Sequence, residues 1–181
     1  MHSYSLEGII IKRRNSGEAD KIITIFSLQK GKVILKAKGI RKLNSKRAGS
    51  LELFNHVKVA AVPGKSNLDV LTEVVVLNSF SSWRSFLGRV NLAYQIVETV
   101  DKLTPENQPH PRVFEILKTA FLNIDKLNSD WESEMGNWML EIIKDLGYWP
   151  DDEVFTGNIY EFIEEISNRP FNSRKILTKL K

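Results

Sequence analysis

The sequence predicts an α+β protein in which a closed five-stranded barrel, in residues 1–80, precedes an all-α helical domain, in residues 81–181. Three observations predict this division. Runs of β-branched residues broken by turn residues fill the first part, whereas apolar residues recur every three or four positions in the second. The charge divides in the same way, because residues 1–80 carry a net charge of +8 and residues 81–181 a net charge of −4.

Five stretches rich in aliphatic and β-branched residues predict the strands, at residues 5–13, 20–27, 32–38, 53–62 and 68–80. Gly17, Gly31 and Gly64 lie in turn-forming clusters between them. Residues 39–50 are too rich in charge, Gly and Ser to lie in a core, so we predict a long basic loop there. Five short strands with one long loop are typical of a small closed barrel.

After residue 80 the pattern changes to a helical period. A first, central helix is predicted to end at Thr104-Pro105, because the residue before a proline disfavours helical geometry. Its predicted apolar face comprises Trp83, Phe86, Leu87, Val90, Leu92, Tyr94, Ile96, Val97, Val100 and Leu103.

The following helices have their own boundary signals. Pro111 suits the first position of a second helix. Ser129 and Glu132 have the spacing of a capping box for a third helix, which Gly147 and Pro150 are predicted to end. The third helix is predicted to bury Trp131, Met135, Trp138, Met139, Ile142 and Leu146. Two short amphipathic segments are predicted after it, at residues 160–167 and 173–180.

Composition and spacing exclude several kinds of site. The chain has no cysteine, which excludes disulfides, zinc-thiolate sites and cysteine nucleophiles. His2, His56 and His110 lie too far apart for a metal motif, and Gly64-Lys65-Ser66 lacks the upstream glycine of a phosphate-binding loop. No stretch approaches the roughly 20 apolar residues of a membrane helix. We therefore predict no catalytic residue, no metal ion, no cofactor and no membrane partner.

Positive charge is concentrated between residues 12 and 47, where 12 basic residues accompany only two acidic ones, Glu18 and Asp20. In the strand at 32–38 the even-numbered side chains are predicted to face outward. Lys36 and Lys38 would then lie about 7 Å apart, a spacing suited to neighbouring phosphates. Clustered cations bind polyanions by releasing counterions, which favours nucleic-acid binding over a plain solvated surface. The predicted binding residues are Lys12, Arg13, Arg14, Lys32, Lys36, Lys38, Arg41, Lys42, Lys46 and Arg47.

Few aromatic residues accompany these cations. Phe26 and Phe54 are interpreted as core residues rather than base-stacking ones, so weak sequence preference and strong salt dependence are expected. A second aromatic group lies at the third helix and its exit. It is interpreted as helical core, with an apolar groove for a partner peptide as the alternative, and it contains Trp131, Trp138, Tyr148 and Trp149.

Some segments resemble those of a known family. The most specific are Glu7-Gly8-Ile9-Ile10-Ile11-Lys12-Arg13-Arg14, Gly17-Glu18-Ala19-Asp20-Lys21-Ile22-Ile23-Thr24-Ile25-Phe26, Gly31-Lys32 and Ala37-Lys38-Gly39-Ile40-Arg41-Lys42. Weaker matches are residues 45–53, Asp101-Lys102-Leu103-Thr104-Pro105-Glu106, Leu146-Gly147-Tyr148-Trp149-Pro150 and Arg169-Pro170-Phe171-Asn172-Ser173-Arg174. Over nearly the whole chain, these segments resemble the RecO family of bacterial DNA repair proteins.

The resemblance implies an OB-fold followed by a helical domain. It also implies binding of single- and double-stranded DNA, and annealing of complementary strands coated with single-stranded DNA-binding protein. The implied protein partners are RecR, the C-terminal peptide of single-stranded DNA-binding protein, which the helical domain receives, and indirectly RecA, whose loading is assisted in gap repair and recombination. A cytoplasmic, nucleoid-associated location is expected.

The chain departs from the family at one point. Many members carry a four-cysteine zinc module after the Leu-Gly-Tyr-x-Pro segment, and this chain has no cysteine and is short for the family. A minimal or divergent member and a truncated one both fit this departure.

Three other functions compete with a recombination mediator. One is a scaffold whose helical domain docks protein partners, with Arg84, Arg89 and Lys118 as possible rim charges and DNA binding secondary. Another is a general OB-fold protein that binds RNA or single-stranded DNA. A nuclease that uses Glu18 and Asp20 as metal ligands is disfavoured, because both residues fit a hairpin equally well.

Overall fold

The computed structural model describes residues 3–41, 48–65, 67–127 and 131–173. Its strands are β1 (Tyr4–Ser16), β2 (Asp20–Ser27), β3 (Gly31–Ala37), β4 (His56–Val62) and β5 (Asp69–Asn78). Its α-helices are α1 (Ser81–Arg84), α2 (Leu87–Leu103), α3 (Pro111–Asn123), α4 (Trp131–Asp145) and α5 (Ile159–Ser167), with 3-10 turns at Gly49–Leu51 and Ile124–Lys126. The predicted cap at Ser129 and residues 174–180 of the predicted last segment lie outside the described residues.

The chain forms two compact units, Met1–Ser79 with Pro105–Phe114, and Phe80–Thr104 with Glu115–Lys181. The predicted fold class is confirmed, since a closed five-stranded barrel is followed by helices. Among the described residues, no helix combines the length and apolar character needed to cross a membrane.

The barrel closes in the order β1-β2-β3-β5-β4, with β4 returning to β1. All its ladders are antiparallel except the short parallel pairing of β3 with β5. β1 pairs with β4 through its first half and with β2 through its second. Gly8 lies where these two ladders overlap, and a Cβ there would come within 2.4 Å of the Ile25 side chain and 2.7 Å of the Phe26 carbonyl oxygen. Glycine is therefore required where β1 crosses β2 so closely.

A β-bulge interrupts β1 between Ile10 and Lys12. Ile10 lies opposite Ile25 of β2, whereas Lys12 lies opposite Thr24, so Ile11 is the extra residue. Ile10 and Ile11 are both buried. Because side chains alternate along a strand, one extra residue exchanges the two faces for every residue that follows it.

Aliphatic side chains from all five strands and from the 3-10 turn fill the barrel. The buried cluster consists of Leu6, Ile10, Ile23, Ile25, Val33, Leu35, Ala37, Ile40, Leu51, Val57, Val59, Ala61 and Leu71. The predicted inward residues of β3 are thus in the core. The start of β3 is covered by the segment after α2, where the Asn107 N–H donates to the Lys32 carbonyl oxygen at 2.9 Å.

In the helical unit, Trp83 is fully buried and its indole N–H donates to the Phe121 carbonyl oxygen at 2.9 Å. Its ring also contacts those of Phe80 and Phe121, at centroid distances of 6.3 and 5.5 Å. Trp83 lies in α1. Ser85 and the extended residue Phe86 separate α1 from α2.

The predicted apolar face of the central helix is partly wrong. Phe86, Leu87 and Tyr94 are exposed, and a buried polar stripe on α2 replaces them. The Asn91 amide donates to the Ser173 carbonyl oxygen at 2.7 Å, and the Gln95 amide donates to the Asn91 amide oxygen at 2.6 Å. Since these polar groups are hydrogen-bonded, their burial carries little penalty, and a hydrophobicity pattern does not detect it.

The third predicted helix, α4, ends as predicted. Gly147 has a φ of +78°, and the N–H groups of Gly147 and Tyr148 donate to the carbonyls of Lys144 and Ile143, which forms a Schellman motif. The predicted aromatic core at the third helix and its exit is wrong, because none of the four aromatic side chains is buried. Met135, Met139, Ile142 and Ile143 form the buried face instead, and the partly or largely exposed aromatic residues are Trp131, Trp138, Tyr148 and Trp149.

We predict that Trp83→Phe lowers the free energy of unfolding by about 2 kcal/mol, because it removes buried volume and leaves the Phe121 carbonyl without its donor. Trp138→Phe is the matched control and should cost less than about 1 kcal/mol, since Trp138 is only half-buried. Urea unfolding of each full chain, followed by far-UV circular dichroism, measures both. Equal losses in the two variants would contradict the buried position of Trp83.

Candidate nucleic-acid interface

Basic side chains lie on the outer face of the sheet formed by β1, β2 and β3. Two cross-strand rows define this surface: Arg14, Ile22 and Lys36 in one, and Lys12, Thr24 and Ile34 in the other. Directly paired residues share a face of a sheet. Ile22 is buried and Ile34 half-buried. The basic side chains therefore lie beside aliphatic side chains, which their methylene groups can cover. We call this surface the basic face.

One carboxylate organises the end of the basic face. Asp20 Oδ1 accepts a hydrogen bond of 2.8 Å from the Gly39 N–H, and Asp20 Oδ2 lies 3.1 Å from Lys36 Nζ. Arg41 adds two bonds to the β1–β2 turn, from its N–H to the Ala19 carbonyl at 2.9 Å and from Nη1 to the Gly17 carbonyl at 3.0 Å. The segment after β3 is thereby fixed to the turn before β2.

The same contacts lower the pKa of the Asp20 carboxyl group. The largest cause is the hydrogen bond from the Gly39 N–H, followed by the hydrogen bond from the Lys36 side chain, and the charges of Lys36 and Lys38 act in the same direction. A lowered pKa stabilises the fold above the ordinary value of 3.8. This stabilisation is lost as the pH falls through the lower pKa of the folded state.

The structure brings together half of the predicted binding residues, and these are Lys12, Arg14, Lys36, Lys38 and Arg41. Arg13 lies on the opposite side of β1 from Arg14 and forms an ion pair of 2.5 Å with Glu52. Lys42, Lys46 and Arg47 lie outside the described residues.

The expectation that Lys32 faces solvent is wrong. Only 8% of Lys32 is exposed, although alternation along β3 places it on the same face as Lys36. The cause is a strand-like bridge between Lys32 and Glu106, which covers the start of β3. Sequence alternation could not reveal this cover, because Glu106 is distant in the chain.

The contacts of Asp20 differ from those that the sequence suggests. The sequence pairs it with Glu18 as disfavoured metal ligands, but its contacts are with Lys36 and Gly39. The sequence signal for these contacts is an aspartate at the first position of the predicted strand 20–27 and a glycine, Gly39, just after the predicted strand 32–38.

Within the described ranges, no group of three or more His, Asp or Glu side chains is placed to hold a metal ion. The chain has no cysteine, so its residues do not fit a four-cysteine zinc module.

The possible rim charges of the helical unit have different surroundings. Lys118 forms an ion pair of 2.7 Å with Glu115. The guanidinium carbon of Arg89 lies 5.0 Å from the centroid of the Phe86 ring, and that of Arg84 lies 5.6 Å from the Trp83 ring.

Comparison with known proteins identifies similar chains. Residues 1–80 match the family model described as recombination protein O N terminal, and residues 85–154 match the model described as recombination protein O C terminal. A DNA repair protein RecO of Symbiobacterium thermophilum is 33% identical over 165 residues, which cover 91% of this chain and 65% of that protein. One from Roseiflexus sp. is 35% identical over 148 residues, covering 81% and 51%. The chain thus spans between about half and two thirds of the length of these curated relatives.

We predict that Lys36→Met raises the pKa of the Asp20 carboxyl group but leaves it below 3.8, because the Gly39 N–H is the larger cause of its lowering. A carbon-13 NMR titration of the Asp20 carboxyl in both chains measures this. A full return to the ordinary value in Lys36→Met would show that the ion pair, and not the backbone hydrogen bond, controls the carboxylate.

Proposed function

The chain belongs to the RecO family of DNA repair proteins, and from that premise we propose that it is a recombination mediator that anneals complementary DNA strands. The observation that carries the proposal is the basic face on β1, β2 and β3. The N-terminal barrel is then the OB-fold of the family, and the proposed DNA contacts are Lys12, Arg14, Lys36, Lys38 and Arg41, together with Lys42, Lys46 and Arg47, which lie outside the described residues.

The basic face suits phosphate contacts better than base contacts. Its cations alternate with the aliphatic side chains of Ile22 and Ile34. Phe26, on β2 with Ile22, is fully buried. A surface without exposed aromatic platforms binds the backbone and carries little sequence information. We therefore expect similar affinity for DNA strands of different sequence.

The proposed mechanism of annealing is electrostatic and forms no covalent bond. Two DNA strands repel each other through their phosphates, and the cations of the basic face reduce that repulsion where the strands meet. Counterion release makes such binding strong at low salt and weak at high salt. Because the basic face contacts phosphates and not base edges, the bases remain available for pairing.

The partners proposed are those expected of the family. Single-stranded DNA-binding protein would present coated strands and dock its C-terminal peptide on the helical unit, while RecR would bind this chain and assist RecA loading. Family membership and the two-unit architecture support these partners.

Two neighbouring arginines provide a matched test of the basic face. Arg14→Gln should weaken binding to all single-stranded DNA sequences and reduce the slope of log affinity against log salt by about 0.7, the value expected for one phosphate contact. Arg13→Gln makes the same chemical change on the other side of β1, where Glu52 already pairs with Arg13, and should leave the slope unchanged.

The measurement is fluorescence anisotropy of labelled oligonucleotides across a salt series. A larger effect of Arg13→Gln than of Arg14→Gln would place the DNA on the opposite side of the hairpin and contradict the assignment.

Annealing itself is tested with two complementary oligonucleotides coated with single-stranded DNA-binding protein. The chain should accelerate duplex formation at low salt, and the acceleration should disappear at high salt and in a Lys36→Glu, Lys38→Glu variant. DNA binding without acceleration would contradict the mediator function while leaving the DNA-binding surface in place.

A further inference from the structure

The helical unit exposes an apolar patch at the start of α2. Phe86 is 55% exposed and Leu87 is 58% exposed. Arg89, one turn further along, places its guanidinium over the Phe86 ring at 5.0 Å. The patch therefore presents two large apolar side chains beside a cation, a combination that suits a ligand with both apolar and acidic groups.

A complementary feature follows α4. Asp151, Asp152 and Glu153 are exposed, and Val154 after them is 81% exposed. This acidic loop is held in place from within, because Lys144 Nζ donates to the carbonyl oxygens of Asp151 and Glu153 at 2.8 and 3.1 Å. Its backbone is fixed while its carboxylates and the Val154 side chain point to solvent.

An aromatic cluster supports the acidic loop from both ends. Trp149, before the loop, packs against Phe155 and Phe162 at centroid distances of 5.1 and 5.6 Å. The loop is thus presented on a rigid base, which reduces the conformational entropy lost when it binds a partner.

The two features belong to opposite ends of α2. The Tyr148 hydroxyl, three residues before the acidic loop, donates to the carbonyl oxygen of Leu103 at the last turn of α2. Leu87 begins the helix, about 24 Å away at 1.5 Å per residue. Phe86, Leu87 and Val154 are each more than half exposed, so the patch and the loop do not cover one another within one copy.

We propose that the acidic loop of one copy docks on the apolar patch of a second copy. Val154 would pack on Phe86 and Leu87, and the loop carboxylates would face Arg89. Because the two surfaces differ, the contact is heterologous: in a pair, the copy that donates its acidic loop keeps a free patch, and the other copy keeps a free acidic loop. Further copies can therefore add head to tail, and the pair is not a closed symmetric dimer.

So few side chains form a weak contact for proteins free in solution. Copies bound next to each other on one DNA strand have a high effective concentration, which converts a weak contact into cooperative binding. The proposal does not depend on the DNA function, since the contact lies within the helical unit and can be tested without DNA.

The absence of cysteine from the chain allows a clean cross-linking test. Full-length Val154→Cys and Leu87→Cys variants, distinguished by a size tag, are mixed and treated with a short bismaleimide. A heterodimer should form several-fold more in this mixture than with Val154→Cys and Leu122→Cys, since Leu122 is an exposed leucine outside the patch, 47% exposed against 58% for Leu87. Its yield should fall as salt is raised.

Exchanging the charges of the two surfaces distinguishes loss of the proposed contact from misfolding of a variant. Arg89→Glu in the Leu87→Cys chain should abolish the cross-link, and so should Asp152→Arg in the Val154→Cys chain, whereas the two changes together should restore much of it. Failure of the combined variants to restore it would overturn the proposed pairing.

Other outcomes identify other occupants of the patch, and each would overturn the proposal. Cross-linking between two Leu87→Cys chains above the Leu122→Cys background would indicate a symmetric dimer. A yield no greater than that background would leave the patch to a different protein or to DNA.

Discussion

The arrangement of the basic face depends on the β-bulge at Ile11. Without the extra residue, the alternation that places Leu6 and Ile10 inside the barrel would turn Lys12 and Arg14 toward the core side and Arg13 outward. The extra residue at Ile11 reverses the alternation for the residues that follow it. As a result Lys12 joins Thr24 and Ile34, and Arg14 joins Ile22 and Lys36. The bulge in β1 therefore determines which cations lie on the basic face, whereas Arg13 falls in the row of Ile23 and Leu35.

The fold was predictable where hydrophobicity and burial coincide. Strands of β-branched residues, turns at glycine and the stop at Gly147 all follow local rules, and the structure confirms them. Prediction failed along α2, because Asn91 and Gln95 are buried in a hydrogen-bonded stripe while Phe86 and Leu87 are exposed. Burial of a polar side chain depends on a partner that is distant in sequence, such as Ser173, and no periodicity within the helix contains that information.

The candidate site was predictable in composition but not in geometry. The sequence identifies a concentration of cations between residues 12 and 47, yet it treats Arg13 and Arg14 alike and expects Lys32 to be exposed. The structure separates the two arginines by the bulge and covers Lys32 with the segment around Glu106. Both effects arise from interactions between strands, or between a strand and a later loop, and neither is visible in the charge of the segment.

An acidic residue at the end of the basic face has a cost and a benefit for the proposed DNA binding. Asp20 offsets one positive charge, which weakens the attraction for phosphate, but it also holds Gly39 and Lys36 in place. A disordered cluster of cations would pay conformational entropy each time it ordered around DNA, whereas the bonds of Asp20 and Arg41 order this end beforehand. Moderate charge also matters for the proposed annealing, because a protein that brings two strands together must release the duplex. In the proposed function, the Asp20 carboxylate therefore fixes the positions of its neighbouring groups and limits the affinity of the basic face for phosphate.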